Sequence, residues 1–255
     1  MKAMIFAAGL GTRLKPWTDH HPKALAIVNG KSLLQRNVEY LQENGIKDVV
    51  VNVHHFADQI EDAIRENNGW GSNVIISDER EEVLETGGGI LFAQHLLEGK
   101  EAFVTVNADI LTNLPINELL EFHNNKEALI SFAVSKRETS RQFLFNKDMQ
   151  LCGWRNRLTQ EEKGPLVINP TINRNELEEW AYGCVVVVSP EFFKVVKEKG
   201  KFSLTESYLS LANEYKVIGW PCEPEKWIDV GKPESIQKAS EIFTLFPINL
   251  CYNLL

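Results

Sequence analysis

The sequence predicts an α/β protein in which a mostly parallel, mixed β-sheet lies between two layers of α-helices. Short apolar runs alternate with segments whose apolar residues recur at helical spacing through the first half of the chain. The chain has 255 residues, of which 44% are hydrophobic, so it can bury one sizeable core. No internal repeat or low-complexity tract interrupts the pattern. One domain with a modest insertion fits these observations better than two full domains.

The apolar runs of the first half have the length and composition of buried strands. They occupy residues 3–8, 47–53, 73–77, 101–106 and 128–134. Helical spacing is found between them, at residues 32–44, 58–67 and 114–123. Gly45 ends the first of these helices, and Pro115 is expected in the first turn of the third. This alternation is typical of a parallel sheet with helices on both faces.

The second half departs from this alternation and then returns to it. Residues 142–154 alternate in polarity around a polar turn, which predicts a β-hairpin, and residues 155–178 are polar and rich in turn residues. Further strands are predicted at 182–188, 216–220 and 226–230, and further helices at 191–199, 205–214 and 233–243. We therefore predict one Rossmann-like, three-layer α/β/α domain over residues 1–243, with a small β-hairpin and lid insertion at residues 142–178. The apolar tail, residues 244–255, is expected to cover a helix or a partner subunit.

Charge and cysteine usage argue against several classes of protein. The formal net charge is -8, from 35 acidic and 27 basic residues, which disfavours binding to nucleic acid or to a membrane surface. The four cysteines are scattered without CxxC spacing, as expected of reduced thiols. There is no cleavable signal pattern, and no apolar run approaches the roughly 20 residues that span a bilayer. We expect a cytoplasmic protein that is a monomer or a small homo-oligomer.

The first predicted strand opens at once into a loop that combines glycine with positive charge. Gly9 and Gly11 let the backbone turn tightly and leave main-chain N–H groups free to face an anion. Arg13, Lys15 and Lys23 add fixed positive charges within the same short segment. A simple turn is the alternative explanation for two glycines after a strand. Together with the three cations, however, the loop predicts a polyphosphate site.

The loop differs from the two best-known phosphate-binding loops. It has no Gly-Lys-Ser/Thr ending, and Lys15 stands where the third glycine of the dinucleotide fingerprint would fall. Kinase-type and nicotinamide sites are therefore disfavoured. Residues 7–14, Ala-Ala-Gly-Leu-Gly-Thr-Arg-Leu, followed by Pro22-Lys23, instead resemble the signature of the sugar-phosphate nucleotidyltransferases. The resemblance extends over approximately residues 1–243 and implies a reaction between a nucleoside triphosphate and a sugar 1-phosphate that releases pyrophosphate.

The resemblance assigns roles to residues of the loop and of later segments. Arg13 and Lys23 are implied to be catalytic, Arg13 by holding the pyrophosphate leaving group and Lys23 by stabilising charge at the α-phosphorus. A solvated loop lysine is the alternative for Lys23. The nucleotide-binding residues that it implies are Ala8, Gly9, Gly11, Thr12, Arg13, Lys23, Glu85, Thr86, Gly87, Gly88 and Asn107.

Two aspartates end apolar strands, Asp109 after residues 101–106 and Asp229 within Trp-Ile-Asp-Val-Gly at 227–231. Ligands of open α/β sheets gather at the carboxyl ends of strands. A pair of carboxylates there can hold one Mg²⁺, with phosphate oxygens and water completing its octahedron. Each aspartate alone is also compatible with a cap or a turn. The family resemblance identifies both as its metal ligands, so Mg²⁺ is the expected cofactor.

Residues 84–90, Leu-Glu-Thr-Gly-Gly-Gly-Ile, follow a strand and open a helix. Three glycines weaken a helix start, by roughly 0.5–1 kcal/mol each relative to alanine, so close approach of a ligand ring is one explanation and a flexible turn is the other. The segment is most similar to the branch that includes the N-acetylmuramate 1-phosphate uridylyltransferases. The mannose and heptose 1-phosphate guanylyltransferases resemble it nearly as well. We therefore expect UTP as the nucleotide, with GTP as the alternative.

Contacts to the sugar 1-phosphate are expected from Asn52, Gly183 and Glu206. For Glu206, an acidic residue that stabilises a helix N-terminus is an equally good explanation. Many relatives carry a Glu-Lys-Pro motif whose lysine holds the sugar phosphate. Here only Glu162-Lys163-Gly164-Pro165 comes near that motif, and it is out of register. Lys163 is therefore left out of the predicted site.

Two other functions are compatible with parts of the sequence. A cytidylyltransferase acting on a non-sugar phosphate such as phosphocholine would line its acceptor pocket with aromatic rings, and Trp154, Trp180 and Trp220 are available. A non-catalytic domain that senses nucleotide sugar is the third possibility. The joint presence of catalytic cations and metal-binding aspartates argues against a sensor.

Overall fold

The computed structural model describes residues 1–243 of the chain. The tail at residues 244–255 lies outside the described residues, and its expected packing against a helix or a partner stays a prediction. No helix among residues 1–243 combines the length and the apolar character needed to cross a membrane.

The chain alternates strands and helices as predicted. The strands are β1 (Lys2–Phe6), β2 (Ile27–Val28), β3 (Lys31–Ser32), β4 (Asp48–Val53), β5 (Asn73–Asp78), β6 (Phe103–Asn107), β7 (Ile110–Thr112), β8 (Ile130–Ser135), β9 (Arg141–Phe145), β10 (Leu151–Asn156), β11 (Glu161–Lys163), β12 (Glu178–Val188), β13 (Val217–Pro221) and β14 (Trp227–Asp229). The helices are α1 (Leu33–Glu43), α2 (Ala57–Glu66), α3 (Glu85–Phe92), α4 (Gln94–Leu97), α5 (Ile116–Lys126), α6 (Pro165–Ile168), α7 (Phe192–Val195), α8 (Leu204–Leu211) and α9 (Pro233–Ile242).

A mixed sheet of ten strands forms the centre of the fold. Along one path the strand order is β5-β4-β1-β6-β12-β9-β10-β11, and β8 pairs with β12 and carries β13 at its other edge. The pairs among β5, β4, β1 and β6 are parallel, as is the pair of β8 with β13. Every pair made by β12 is antiparallel. The predicted mixed sheet is confirmed, with its continuous parallel part confined to the first half of the chain.

The two faces of the sheet bury separate apolar clusters, which confirms the three-layer architecture. Along β1, Ala3 and Ile5 face one cluster and Met4 faces the other, as the alternation of side chains along a strand requires. All three are completely buried. Helices α1, α2 and α5 cover the first face, while α3, α4 and α8 cover the second. The sheet, at whose edge the candidate site lies, is thus packed against helices on both faces.

The predicted boundaries hold where local signals are strong. Helix α1 begins after Ser32, whose Oγ accepts a hydrogen bond from the Gln35 N–H at 3.0 Å, and ends before Gly45, which has a φ of 80°. Pro115 is the N-cap of α5 rather than a residue of its first turn. The helix predicted at 191–199 is limited to Phe192–Val195. That short helix is anchored by the buried Phe192, and the polar residues after it bury no further apolar face.

The segment predicted as an insertion extends the sheet. Strands β9 and β10 form the expected hairpin, and β9 pairs with the first residues of β12. Arg155 ties this extension together by pairing with Glu162 at 2.7 Å and with Glu179 at 2.8 Å. Closure of residues 142–178 over a ligand stays a prediction.

Candidate active site

The glycine loop after β1 folds back so that Lys23 lies against Gly11. Gly11 has a φ of 63°, and a Cβ atom on it would lie 2.9 Å from Cβ of Lys23 and 2.9 Å from Cγ2 of Thr18. Its carbonyl accepts hydrogen bonds from the Leu14 N–H and from the Thr18 hydroxyl, both at 2.9 Å. Glycine is therefore required at position 11 by conformation and by packing. A Cβ on Gly9 would meet nothing within 4 Å, so this part of the loop faces open space.

The small β7–β14 ribbon brings the two predicted metal ligands together. Asp229, the last residue of β14, pairs with Ile110 of β7, and the Val230 N–H donates to the Asp109 carbonyl at 2.8 Å. Asp109 lies two residues after the end of β6, so both carboxylates lie at the carboxyl end of the parallel strands. This is the edge at which open α/β sheets bind ligands.

Each aspartate is matched by one of the two predicted catalytic cations. Lys23 forms an ion pair with Asp109, and both side chains are mostly buried. Nη1 of Arg13 lies 3.7 Å from Oδ2 of Asp229. A Cβ on Gly231 would lie 2.6 Å from Nη2 of Arg13, so a larger residue would displace this guanidinium from its present position. Gly231 is a site residue that sequence reasoning missed, although it follows Asp229 closely in the quoted motif.

These residues surround two neighbouring cavities. The first, of about 240 Å³, is lined by Phe6, Ala7, Gly9, Gly11, Thr12, Arg13, Lys23, Ala24, Thr86, Asn107, Ala108, Asp109 and Gly231. The second, of about 290 Å³, is lined by Phe6, Ala8, Gly9, Asn52, Val83, Glu85, Thr86 and Ser203. Phe6, Gly9 and Thr86 line both cavities, so a ligand can extend from one to the other. We call them the phosphate cavity and the outer cavity.

The two aspartates have the donor chemistry that Mg²⁺ requires. Oδ1 of Asp229 is buried and has no hydrogen-bond partner within residues 1–243, which makes it available to a cation. The part of the chain that the structure describes contains no group of three or more His, Cys, Asp or Glu residues suited to a metal. The protein would thus supply two carboxylates, and the remaining ligands would come from phosphate oxygens and water.

Asn52 forms hydrogen bonds that hold the end of β1, where the glycine loop begins. Its Oδ1 accepts a hydrogen bond from the Ala7 N–H at 2.8 Å, and its Nδ2 donates to Oε1 of Glu79 at 2.9 Å. Both Asn52 and Glu79 are buried. The carboxylate of Glu79 orients the Asn52 amide, and the amide in turn fixes the end of β1. Asn52 also lines the outer cavity, and its predicted contact with the sugar phosphate stays a prediction.

Glu79 carries a pH-dependent cost to stability. Burial raises the pKa of its carboxyl to about 7, although the hydrogen bond from Asn52 acts in the opposite direction. Because the pKa is raised on folding, the folded state binds more protons than the unfolded state between about pH 4.5 and pH 7, and stability falls as the pH rises through that window.

We expect Glu79→Gln to remove this loss. The variant should match the wild type at pH 5 and exceed it at pH 8, by roughly 3 kcal/mol at most, since one pKa unit corresponds to about 1.4 kcal/mol. Urea unfolding across this range measures the difference. Glu82→Gln, a change at an exposed neighbour, is the control. A pH-independent offset between Glu79→Gln and the wild type would contradict the prediction.

The glycine run accommodates a ring of the protein itself. A Cβ on Gly87 would lie 2.2 Å from the Phe202 ring, and one on Gly88 would lie 2.3 Å from the Gly200 carbonyl. The N–H groups of both glycines donate to the Phe202 carbonyl, at 2.9 and 3.3 Å. Thr86 also joins this contact, since its hydroxyl accepts from the Leu204 N–H at 3.0 Å. The ligand ring that the sequence suggested is thus unnecessary to explain Gly87 and Gly88, whereas Glu85 and Thr86 do line the outer cavity.

The other two residues predicted for the sugar phosphate do not line either cavity. A Cβ on Gly183 would lie 2.9 Å from the Ala133 carbonyl, so packing of β12 on β8 explains this glycine. Glu206 is exposed in the first turn of α8, where an acidic side chain favours the helix N-terminus. Their predicted contacts with the sugar 1-phosphate stay predictions.

A larger cavity, of about 680 Å³, lies at the opposite edge of the sheet. It is lined by residues that precede β6, β8 and β13, including Lys100, Leu129 and Lys216. His123 also lines it, but Nδ1 and Nε2 each lie 2.9 Å from a serine hydroxyl, and burial lowers the pKa of this histidine to about 4. The histidine is therefore neutral and already hydrogen bonded. The strand-end cavities remain the better candidate for chemistry.

The fold and site together define an α/β protein that has a glycine-rich, positively charged loop and two carboxylates at the carboxyl edge of its sheet. Residues 2–144, more than half of the chain, match the sequence profile of the Nucleotidyl transferase family. The chain belongs to this family.

Individual relatives differ in the nucleotide that their names imply. The N-acetylmuramate alpha-1-phosphate uridylyltransferase of Caulobacter vibrioides is 47% identical over 104 residues, which cover 40% of this chain and 43% of that protein. The Mannose-1-phosphate guanyltransferase 2 of Candida glabrata is 25% identical over 248 residues, 95% of this chain and 64% of that protein. The chain thus spans less than two thirds of both curated relatives.

Solved structures share the whole fold. HddC from Yersinia pseudotuberculosis, whose crystal structure was determined in complex with GMP-PN, superposes with a TM-score of 0.71 and 23% identity. The match covers 94% of this chain and 98% of that one. At this identity the likeness establishes the fold alone.

Proposed function

We propose that this protein condenses UTP with a hexose or amino-sugar 1-phosphate, giving a UDP-sugar and pyrophosphate in a Mg²⁺-dependent reaction. The observation that carries the proposal is the pairing of two cations with two carboxylates around the phosphate cavity, namely Lys23 with Asp109 and Arg13 with Asp229. This arrangement places positive charges that can bind a triphosphate, and oxygen ligands that can bind its metal, at one edge of the sheet. The match to the family and the uridylyltransferase relative support the same reaction class.

The reaction transfers a nucleotidyl group and needs no covalent intermediate on the protein. An oxygen of the sugar phosphate forms a bond to the α-phosphorus of UTP, and the bond from that phosphorus to the bridging oxygen of the β-phosphate breaks. The electron pair of that bond leaves with pyrophosphate. Because the attacking oxygen belongs to a phosphate that is already ionised, no general base is required. The protein contributes positioning and neutralisation of charge.

Each residue of the phosphate cavity has a role in this scheme. The backbone at Gly9 and Gly11 faces the triphosphate, and Arg13 holds the departing pyrophosphate. Lys23 stabilises the charge that develops at the α-phosphoryl group. Asp109 and Asp229 would hold Mg²⁺, which supplies Lewis acidity and further charge neutralisation when bound. Before substrates bind, the ion pair between Lys23 and Asp109 neutralises both charges.

GTP is the second candidate nucleotide, and one observation favours it. A guanine site gains from a carboxylate that accepts protons from N1 and N2, and Glu85 lines the outer cavity. The other acidic residues near the glycine run are engaged or turned to solvent: Asp78 pairs with Arg80 at 2.8 Å, Glu79 is buried against Asn52, and Glu81 and Glu82 are exposed. Glu85 is thus the carboxylate placed to read guanine.

A phosphocholine site receives no support from the tryptophans. The Lys136 ammonium lies 3.6 Å from the Trp180 ring centroid, and the Lys163 ammonium lies 5.5 Å from that of Trp154. Trp220 packs against the core. Neither cavity is lined by any of the three. Cytoplasmic location and a monomeric or small oligomeric state stay predictions.

The proposal is tested by pyrophosphate release from the four nucleoside triphosphates, each paired with several sugar 1-phosphates. We expect UTP to exceed GTP by at least about tenfold, because a site built for one hydrogen-bonding pattern leaves buried groups unpaired with another base. The variant Glu85→Gln distinguishes the two candidate nucleotides further. It should lower the rate with GTP if Glu85 binds guanine, and it should leave the rate with UTP nearly unchanged. Equal rates with UTP and GTP, or a preference for GTP that Glu85→Gln abolishes, would overturn the choice of UTP.

A further inference from the structure

Arg137 occupies an unusual position beside the metal-binding aspartates. It follows β8 by two residues, and its guanidinium carbon lies 3.9 Å from the ring centroid of Trp227. Trp227 begins β14, two residues before Asp229, and its indole N–H donates to the Gly183 carbonyl at 3.1 Å. The hydrogen bond fixes the indole ring, and the guanidinium of Arg137 lies over that ring.

The guanidinium of Arg137 is only partly satisfied. Nη2 donates to the Tyr182 carbonyl at 2.7 Å, whereas Nε is buried and has no hydrogen-bond partner within residues 1–243. Within the same residues, no carboxylate forms an ion pair with Arg137. Burial lowers the pKa of this arginine, and the nearby Cys184 and Asp229 act in the opposite direction. A guanidinium offers five N–H donors, so most of its capacity remains available.

Another partly buried arginine, Arg155, shows how carboxylates of this chain can neutralise such a group. Arg155 pairs with both Glu162 and Glu179, at 2.7 and 2.8 Å. Arg137 has no equivalent carboxylate, yet it is partly removed from water. An unpaired charge in that setting is costly unless a ligand supplies the counter-charge. The missing partner is therefore expected to be an anion that binds during function.

The position of Arg137 relative to Arg13 indicates which anion this is. Arg13 reaches Asp229 from the phosphate cavity, whose wall it forms with Gly231. Arg137 is near Asp229 but does not line that cavity, and lies over Trp227 instead. In an in-line displacement the attacking phosphate approaches from the side opposite to the leaving pyrophosphate. A cation that is near Asp229 but outside the cavity lined by Arg13 therefore suits the attacking group.

We propose that Arg137 binds the phosphate of the sugar 1-phosphate, an inference that rests on the proposed function. Its planar fork donates two parallel hydrogen bonds to two phosphate oxygens, as guanidinium groups do with phosphates. Lys163, in the segment that only approximates a Glu-Lys-Pro motif, is not available for this role. It is paired with Glu161 at 3.1 Å and is about half exposed.

The test compares Arg137→Gln, Arg137→Lys and the control Lys163→Gln in steady-state assays at saturating UTP. Arg137→Gln should raise the KM for the sugar 1-phosphate by about tenfold or more, since a charge-assisted bidentate contact is lost. Arg137→Lys should fall between this variant and the wild type, because it keeps the charge without the fork. Lys163→Gln should match the wild type, and the KM for UTP should stay within about twofold in all three.

Two further measurements distinguish binding from a structural role. Addition of methylguanidinium to Arg137→Ala should restore part of the lost affinity for the sugar 1-phosphate, which a purely structural arginine would not allow. The effect of Arg137→Gln should be equal for glucose 1-phosphate, whose sugar carries no charge, and for N-acetylmuramate 1-phosphate, whose sugar carries a carboxylate. An effect confined to the acidic sugar would overturn the proposal, because it would place a sugar carboxylate at Arg137.

The outcomes separate this inference from the proposed function. If the wild type transfers nucleotide but Arg137→Gln and Arg137→Lys keep its KM for sugar 1-phosphate, the role of Arg137 is wrong and the proposed function stands. A parallel rise in the KM for UTP would also contradict the inference. If the wild type neither turns over nor binds any sugar 1-phosphate, by calorimetric titration with glucose 1-phosphate and N-acetylmuramate 1-phosphate, both proposals fail.

Discussion

Asp229→Asn and Asp109→Asn are each expected to lower kcat by roughly 100- to 1,000-fold, the scale seen when one electrostatic contact to a transition state is removed. Asparagine keeps the size of each side chain but removes the charge that attracts Mg²⁺. The negative charge is expected to matter most at Asp229, whose buried Oδ1 has no hydrogen-bond partner within residues 1–243. The fold should persist, because Asp109 and Asp229 are joined by main-chain hydrogen bonds of the β7–β14 ribbon.

The matched control for both substitutions is Asp62→Asn. Asp62 also pairs with a cation, Arg65, but does so on the exposed surface of α2. The variant Asp62→Asn should leave turnover unchanged. Chelation by EDTA should abolish the wild-type activity, and added Mg²⁺ should restore it. Full activity in EDTA, or normal turnover of Asp229→Asn, would contradict the metal site.

Lys23→Ala is expected to lower kcat by about 100-fold or more while changing the KM for UTP by much less. The charge on the α-phosphoryl group is best matched to Lys23 in the transition state, so its removal should affect turnover more than binding. In the free protein the Lys23 side chain is held by Asp109 in a mostly buried setting. Removing it therefore also leaves Asp109 without its partner.

Two controls address that second effect. Lys31→Ala breaks another lysine–carboxylate pair, with Glu39 at 2.7 Å, outside the two candidate cavities. It should leave kcat unchanged. Lys23→Arg keeps a charge next to Asp109 and should retain more activity than Lys23→Ala. An unchanged kcat with only a raised KM for UTP would show that Lys23 acts in binding alone.

Short sequence patterns predicted those parts of the candidate site that lie within a single segment of the chain. The apolar run of β1 and the glycines after it are adjacent in sequence, so the loop and its positive charges could be located directly. Asp109 and Asp229 were found because each ends a strand, and strand ends converge on one edge of a parallel sheet. That they face each other through a two-stranded ribbon could not be known, because β7 is too short to leave a clear pattern.

Contacts between distant segments give several site residues roles within the protein that the sequence does not reveal. Close approach of a ligand ring was one explanation for the glycine run, but the ring that approaches Gly87 is that of Phe202, more than 100 positions away. Asn52 was expected to touch the substrate, and its hydrogen bonds with Ala7 and Glu79, which hold the end of β1, were not evident from the sequence. Arg137 gave no sequence signal. Its proposed role rests on the position of Trp227 and on the lack of a carboxylate ion pair within residues 1–243.

The central claim is that the protein transfers a nucleotidyl group from a triphosphate to a sugar phosphate. It is tested most directly by incubating the wild-type protein with UTP labelled at the α-phosphate, Mg²⁺ and a sugar 1-phosphate, and by separating the products. We predict that the label appears in UDP-sugar, in an amount equal to the pyrophosphate released, and only when the sugar 1-phosphate is present. Release of labelled UMP at the same rate with or without the sugar phosphate, or no release of pyrophosphate with any triphosphate, would contradict the account.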